Sequence, residues 1–224
     1  MNPVPIVYFS DVLCIWAHIA ELRVEAVKAE FGEKVRLDYR FCSVFGDTAR
    51  KMATTWREKG GYEGFNAHLM HTAEGFPEIT INPDIWVKAR PASSTGIHLL
   101  LKAITLQEAS NACPPGSMLV ILKALRRVFF EDGRDIAHWK TQAEICRSAG
   151  LDIAGIEARI QDGQAYAALA SDYQDADAMG IQGSPSFVLN EGRQKLYGNV
   201  GFRIMEANIQ ELLREPASDQ ASWC

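Results

Sequence analysis

Ile6-Val7-Tyr8-Phe9-Ser10-Asp11-Val12-Leu13-Cys14-Ile15-Trp16-Ala17-His18 is the stretch whose reading decides the fold. Its first four residues are an apolar run of β-branched and aromatic side chains, the pattern of a buried strand. Ser10 and Asp11 close that run. From Cys14 onward the apolar residues recur at helical spacing, at Ile15, Ile19, Leu22, Ala26 and Val27. Cys14 therefore stands where a strand hands over to a helix. The free N–H groups and positive dipole end of a helix start favour a thiolate, so the position predicts a nucleophile of lowered pKa.

The neighbouring residues extend this into a β-α-β unit. Gly32 is placed to end the helix, and Val35 to Phe41 alternates apolar and polar residues as a second strand. Two parallel strands joined by a helix require a right-handed crossover, which puts both C-terminal ends at one sheet edge. Cys14 and Cys42 both follow such ends.

Gly46 to Gly163 reads as helical, with loops. One helix is predicted over Asp47–Lys59 and another over Tyr62–Thr72, separated by Gly60 and Gly61. Phe76 to Pro83 has the composition of an extended loop. Ser93 or Ser94 is placed to cap a helix running to Ala109, and Pro114-Pro115-Gly116 is a clear break. Met118 to Phe129 is strongly amphipathic. Asp135 and Asp152 are placed to cap the next two helices, which stop at Gly150 and Gly163. A helix from Gln164 to Met179 follows. Ser186–Leu189 and Lys195–Tyr197 then read as a hairpin around Asn190-Glu191-Gly192-Arg193, and Phe202 to Arg214 as a closing helix.

The order β-α-β, helical insertion, α-β-β-α predicts an α/β protein with a thioredoxin-like fold. Residues 1–45 and 164–215 form its discontinuous thioredoxin-like domain. Residues 46–163 form a large inserted all-helical domain, and 216–224 a flexible tail.

The chain has 224 residues, 47% of them hydrophobic and 23% charged, enough to build a real core. A net charge of −5 argues against nucleic-acid and anionic-membrane partners, which select dense basic patches. No apolar run reaches bilayer length. Met1-Asn2-Pro3-Val4-Pro5 has no basic n-region or cleavage site, so the expected location is the cytoplasm. The five cysteines, Cys14, Cys42, Cys113, Cys146 and Cys224, are odd in number and widely spaced, which argues against a disulfide framework or a zinc site. His68 and His71 are three apart, but no carboxylate or thiol beside them completes a metal site, so no metal is expected.

Three segments together resemble the DsbA-like thioredoxin-fold family. Asp11-Val12-Leu13-Cys14-Ile15-Trp16-Ala17-His18 is similar to its active-site turn. That turn reads Asp-x-x-Cys-Pro-Trp-Cys in the cytoplasmic disulfide oxidoreductases. It reads Asp-x-x-Ser-Pro-Tyr-Ser in kappa-class glutathione transferases and 2-hydroxychromene-2-carboxylate isomerases. Phe129-Phe130-Glu131-Asp132-Gly133-Arg134-Asp135-Ile136 is similar to the family's aromatic-Phe-x-x-Gly-x-Asp-Ile segment. Gly180-Ile181-Gln182-Gly183-Ser184-Pro185-Ser186-Phe187-Val188 is similar to its Gly-Ile-x-Gly-Val-Pro-Thr-Phe-Val.

This resemblance implies a cis Ser184–Pro185 bond facing Cys14, with the Ser184 backbone free to pair with an extended peptide or with glutathione. Ala17 replaces the resolving cysteine, and Ile15 replaces the usual proline. A mixed disulfide on Cys14 then needs an outside thiol such as glutathione, or another cysteine of the chain, to resolve it. Cys42 is the internal candidate, although a structural strand-end residue is the simpler reading. Cys113 and Cys146 read as structural, and Cys224 as an incidental surface thiol.

His18, four residues past Cys14 on the same helix face, is a candidate to stabilise the thiolate or carry a proton. Trp16 is a candidate recognition surface for an apolar substrate. Asp11, taken over from the family turn, is expected to cap the helix or orient the turn. His98 reads as packing between the two domains.

The expected function is a DsbA-like thiol–disulfide oxidoreductase acting through a single cysteine. Its partners would be thiol or disulfide peptides or small molecules, with glutathione as co-substrate and no tightly bound cofactor. The alternatives are a glutathione-dependent transferase or isomerase and a non-catalytic thioredoxin-fold binding module. For the former, Tyr197-Gly198-Asn199-Val200-Gly201-Phe202-Arg203 lacks the acidic residue of that branch's Phe-Gly-x-Asp-Arg. A homodimer is compatible with all three, and the sequence leaves the oligomeric state open.

Overall fold

The structure is a computed structural model and describes residues 3–214; Cys224 and the rest of the tail expected over 216–224 lie outside the described residues. Strand β1 (Val4–Ser10) leads to helix α1 (Ile15–Phe31) and strand β2 (Val35–Phe41). The helical stretch comprises α2 (Thr48–Thr54), α3 (Gly61–Ala73), α4 (Ile85–Lys88), α5 (Thr95–Ala109), α6 (Ser117–Phe130), α7 (Trp139–Ser148) and α8 (Ile153–Gln161). Helix α9 (Gln164–Ala178), strands β3 (Ser186–Leu189) and β4 (Gln194–Tyr197) and helix α10 (Phe202–Leu213) follow.

The sheet order is β2-β1-β3-β4. β1 runs parallel to β2, with Ile6 opposite Leu37 and Ser10 opposite Phe41. β3 is antiparallel to both β1 and β4. This is the mixed sheet that the element order predicts. Side chains alternate across it. Val4, Ile6 and Tyr8 join Phe187 and Leu189 on one face, under α1 and α10. Phe9 and Val188 face the other way, with Cys42 and with Ala176 of α9.

β1 extends one residue past Phe9, because Ser10 keeps a ladder partner in Phe41. The helix predicted over 47–59 breaks after α2 into a separate 3₁₀ turn at 57–59. There Trp56 turns its ring onto Phe65 and His68 of α3. Asp152 caps α8 as expected, accepting from the N–H groups of Ala154 and Gly155. Asp135 does not cap α7. Its Oδ1 accepts from Ala137 N at 2.8 Å, turning the chain there, and the helix starts only at Trp139.

The helical layer shares its core with the thiol turn. Val12, Leu13, Cys14 and Ile15 pack in one cluster with Phe45, Trp86, Ile97, Leu100 and Phe129. Trp86 sits at its centre, fully buried, stacked on Phe45 and edge-on to Phe65 and Phe129.

Candidate functional site

The turn between β1 and α1 is held by its own backbone N–H groups. Asp11 N donates to Ser184 Oγ at 2.8 Å. Val12 N donates to His98 Nε2 at 3.2 Å. Leu13 N donates to Asp11 Oδ1 at 3.0 Å, and Cys14 N to the Asp11 carbonyl at 3.1 Å. The other oxygen of Asp11 accepts from Val44 N at 2.9 Å, Phe45 N at 2.8 Å and Ser94 Oγ at 2.8 Å. Asp11 is fully buried. It therefore orients the turn and ties it to the segment after β2 and to the start of α5. It does not cap α1, whose N-cap residue is Cys14 with no side-chain cap.

Cys14 lies where the sequence puts it, at the start of α1. Its thiol donates to the Ser184 carbonyl at 3.2 Å, and the Ser184–Pro185 peptide bond is cis. The expectation of a low-pKa thiolate is corrected. Burial pushes the Cys14 pKa up, and the nearby Asp11 charge adds to it. The Ser184 side chain and the N–H groups of Ala17 and Trp16 act in the opposite sense. The helix-start effect is present, and desolvation outweighs it. At rest Cys14 is a closed, protonated thiol. Ala17 is fully buried beneath it and offers no second sulfur.

His18 does not serve Cys14 as a cation. Burial, followed by the Arg126 charge, lowers its pKa to about 4, with Glu21 acting the other way. The ring stacks on Phe130 with centroids 4.7 Å apart, and Nδ1 faces Glu21 at 3.9 Å. The ring contacts thus run to Phe130 and Glu21. Arg126, a residue the sequence reading missed, is fully buried. It donates to Glu21 Oε1 at 2.7 Å and to Ser10 Oγ at 3.2 Å. Two arginines, Arg126 and Arg127, stand between Leu125 and Val128 on an amphipathic helix; the available signal was that one of them adjoins the apolar face, where a buried charge requires a partner.

Trp16 is half-buried, and Phe76 meets it edge-on at 6.0 Å, with Arg23 over the Phe76 ring. Cys42 is buried with its sulfur 3.9 Å from the Gly183 carbonyl. Burial, then Asp11 and Cys14, hold its thiol well above the ordinary range. The two sulfurs thus approach consecutive carbonyls of one segment. Cys42 also lines a pocket of about 250 Å³, together with Ser43, Tyr173, Asp177, Ile181 and Gly183.

His98 joins the two halves, and its hydrogen bonds were the part of the site not visible in the sequence. Besides accepting from Val12, it places Nδ1 3.2 Å from Tyr173 Oη and stacks on Phe41 at 4.5 Å. Burial lowers its pKa to about 4. The available signal was a lone histidine on the apolar face of α5, where a buried ring must find partners. Among the described residues, no group of three or more His, Cys, Asp or Glu side chains is arranged to hold a metal ion. Nor is any described helix long and apolar enough to cross a membrane.

Comparison with known proteins adds a family and a fold. The family model of the DSBA-like thioredoxin domain matches residues 5–210. No curated protein matches the sequence. Among solved structures, a probable DsbA oxidoreductase from Streptomyces coelicolor is similar at a TM-score of 0.71 and 20% identity, over 96% of this chain and 93% of that one. The cytosolic disulfide reductase DsbM from Pseudomonas aeruginosa is similar at 0.67 and 19%, over 93% and 100%. A 2-hydroxychromene-2-carboxylate isomerase is similar at 0.60 and 14%, over 93% and 95%. At these identities the likeness is one of fold.

Proposed function

The chain belongs to the DSBA-like thioredoxin domain family, and on that premise we propose that it is a thiol–disulfide oxidoreductase working through Cys14 alone, with an external thiol in place of a resolving cysteine. The observation that carries this reading is the Cys14 thiol directed at the Ser184 carbonyl, next to a cis proline, with alanine at position 17. An extended substrate pairs with the Ser184 backbone and takes over the carbonyl that the thiol now occupies. Released from that bond and opened to water, the thiol loses its proton. The thiolate attacks the substrate disulfide. A bond from Cys14 to one substrate sulfur forms, and the other sulfur leaves as a thiolate and is protonated. A small external thiol then attacks the bound substrate sulfur. It leaves as a new mixed disulfide with the substrate, and Cys14 is restored. Electrons balance across the two exchanges, and no cofactor is consumed.

Glutathione is the natural candidate for the external thiol; a structure of DsbM has been solved with GSH. The reading includes a reducing compartment, the cytoplasm, where that thiol is abundant. Trp16 and Phe76 would form the apolar wall beside the substrate. The test is incubation with oxidised glutathione followed by intact-mass and peptide mapping. One glutathione on Cys14, removed by excess thiol and absent in Cys14→Ser, is expected. Adducts only on other cysteines, or none, would overturn the reading.

The absence of a second sulfur at Ala17 also favours a second reading, a glutathione-dependent isomerase or transferase that holds the glutathione sulfur at position 14. The missing acidic residue in 197–203 weighs against it. Saturable calorimetric binding of glutathione to Cys14→Ser would support this second reading over the first.

A further inference from the structure

We propose that His98 is a positioning residue of the thiol turn, a neutral imidazole carrying its proton on Nδ1, whose Nε2 holds Val12 and so sets where Cys14 points. Four consecutive N–H groups, from Asp11 to Cys14, each have their own acceptor, and His98 supplies the one that comes from α5. Val12 and His98 are both fully buried, so no water replaces the contact. The inference rests on Cys14 being the working thiol.

The tautomer follows from the geometry. A backbone N–H can only donate, so Nε2 presents its lone pair to Val12. The ring proton is then on Nδ1, aimed at Tyr173 Oη. A proton on Nε2 would leave the Val12 N–H without an acceptor. It would also set the ring competing with Leu13 N for Asp11 Oδ1, which lies 3.8 Å from Nε2. The stack on Phe41 fixes the ring plane. Tyr173 belongs to α9 and lines the pocket beside Cys42. One imidazole therefore braces the Cys14 turn against the helix that walls the neighbouring cavity.

The experiment compares wild type, His98→Phe and His98→Gln. Phenylalanine keeps the stacked ring and loses the acceptor; glutamine keeps an acceptor near the Nε2 position. The readouts are the pH profile of iodoacetamide labelling at Cys14 and at Cys146, resolved by peptide mapping, and the imidazole ¹⁵N shifts of the wild type. In His98→Phe the turn is released, and Cys14 is expected to label about tenfold faster at neutral pH, its midpoint moving down toward the ordinary thiol value of about 8.5. His98→Gln is expected to stay within about twofold of wild type. Buried Cys146 should remain protected throughout, which separates this effect from general loosening. The ¹⁵N shifts should report the Nδ1–H tautomer. Wild-type rate and midpoint in His98→Phe, no rescue by His98→Gln, or an Nε2–H tautomer would each overturn the proposal. If His98→Phe does not fold, the tautomer decides. Neither readout requires turnover, so they still judge His98 if Cys14 takes no glutathione.

Discussion

Two effects compete at Cys14, and burial prevails. The helix start offers N–H groups to a thiolate, while the closed turn withholds water from it. The labelling midpoint of Cys14 in the wild type is therefore expected above the ordinary thiol value, measured by iodoacetamide kinetics against pH. Binding of an extended peptide should lower it by taking the Ser184 carbonyl and releasing the thiol from that bond. Ala17 is the second decisive residue. Its place one turn along from Cys14 means that Ala17→Cys restores the missing sulfur at C-x-x-C spacing. Mild oxidation of that variant should remove two hydrogens by mass and link Cys14 to the introduced sulfur in peptide maps. Retention of two free thiols would show that the turn geometry does not accept the bond. Cys14, Ser184 and Pro185 were legible because each stands in a local motif. The acceptor of Val12 was not, because it comes from 86 residues away.

Helix boundaries show where local rules suffice. Asp152 binds two N–H groups of α8 from an exposed position, so Asp152→Ala should cost about 1 kcal/mol by urea denaturation. Asp135 has the same chemistry yet spends its carboxyl group on Ala137 and starts no helix. The two cannot be told apart from the residues alone, because both are Asp before an apolar stretch. The helical layer depends on its aromatic centre. Trp86→Ala should cost about 3–5 kcal/mol. Because Trp86 shares a cluster with Val12 and Leu13, the loss should also speed labelling of Cys14.

The stability of the whole molecule should depend on pH through two buried histidines. His18 and His98 have folded-state pKa values of about 4, against an ordinary value of 6.5. Between those values the unfolded chain binds more protons than the folded one. Stability is then complete above about pH 6.5 and falls as pH drops toward 4, by on the order of 3 kcal/mol for each histidine. Urea midpoints at pH 7 and pH 4.5 measure the fall. His98→Gln, which has no group to titrate there, should reduce it by roughly half.

By itself the sequence determined the strand–helix thiol turn, the order of elements, the sheet and the family, since these follow from periodicity, punctuation residues and contiguous motifs. Only the tertiary structure decided the state of the site. Whether a cysteine at a helix start is a thiolate or a closed thiol depends on what covers it. At Cys14 the cover comes from Ser184 and the helical layer, and their distance along the chain keeps that balance out of reach of local pattern.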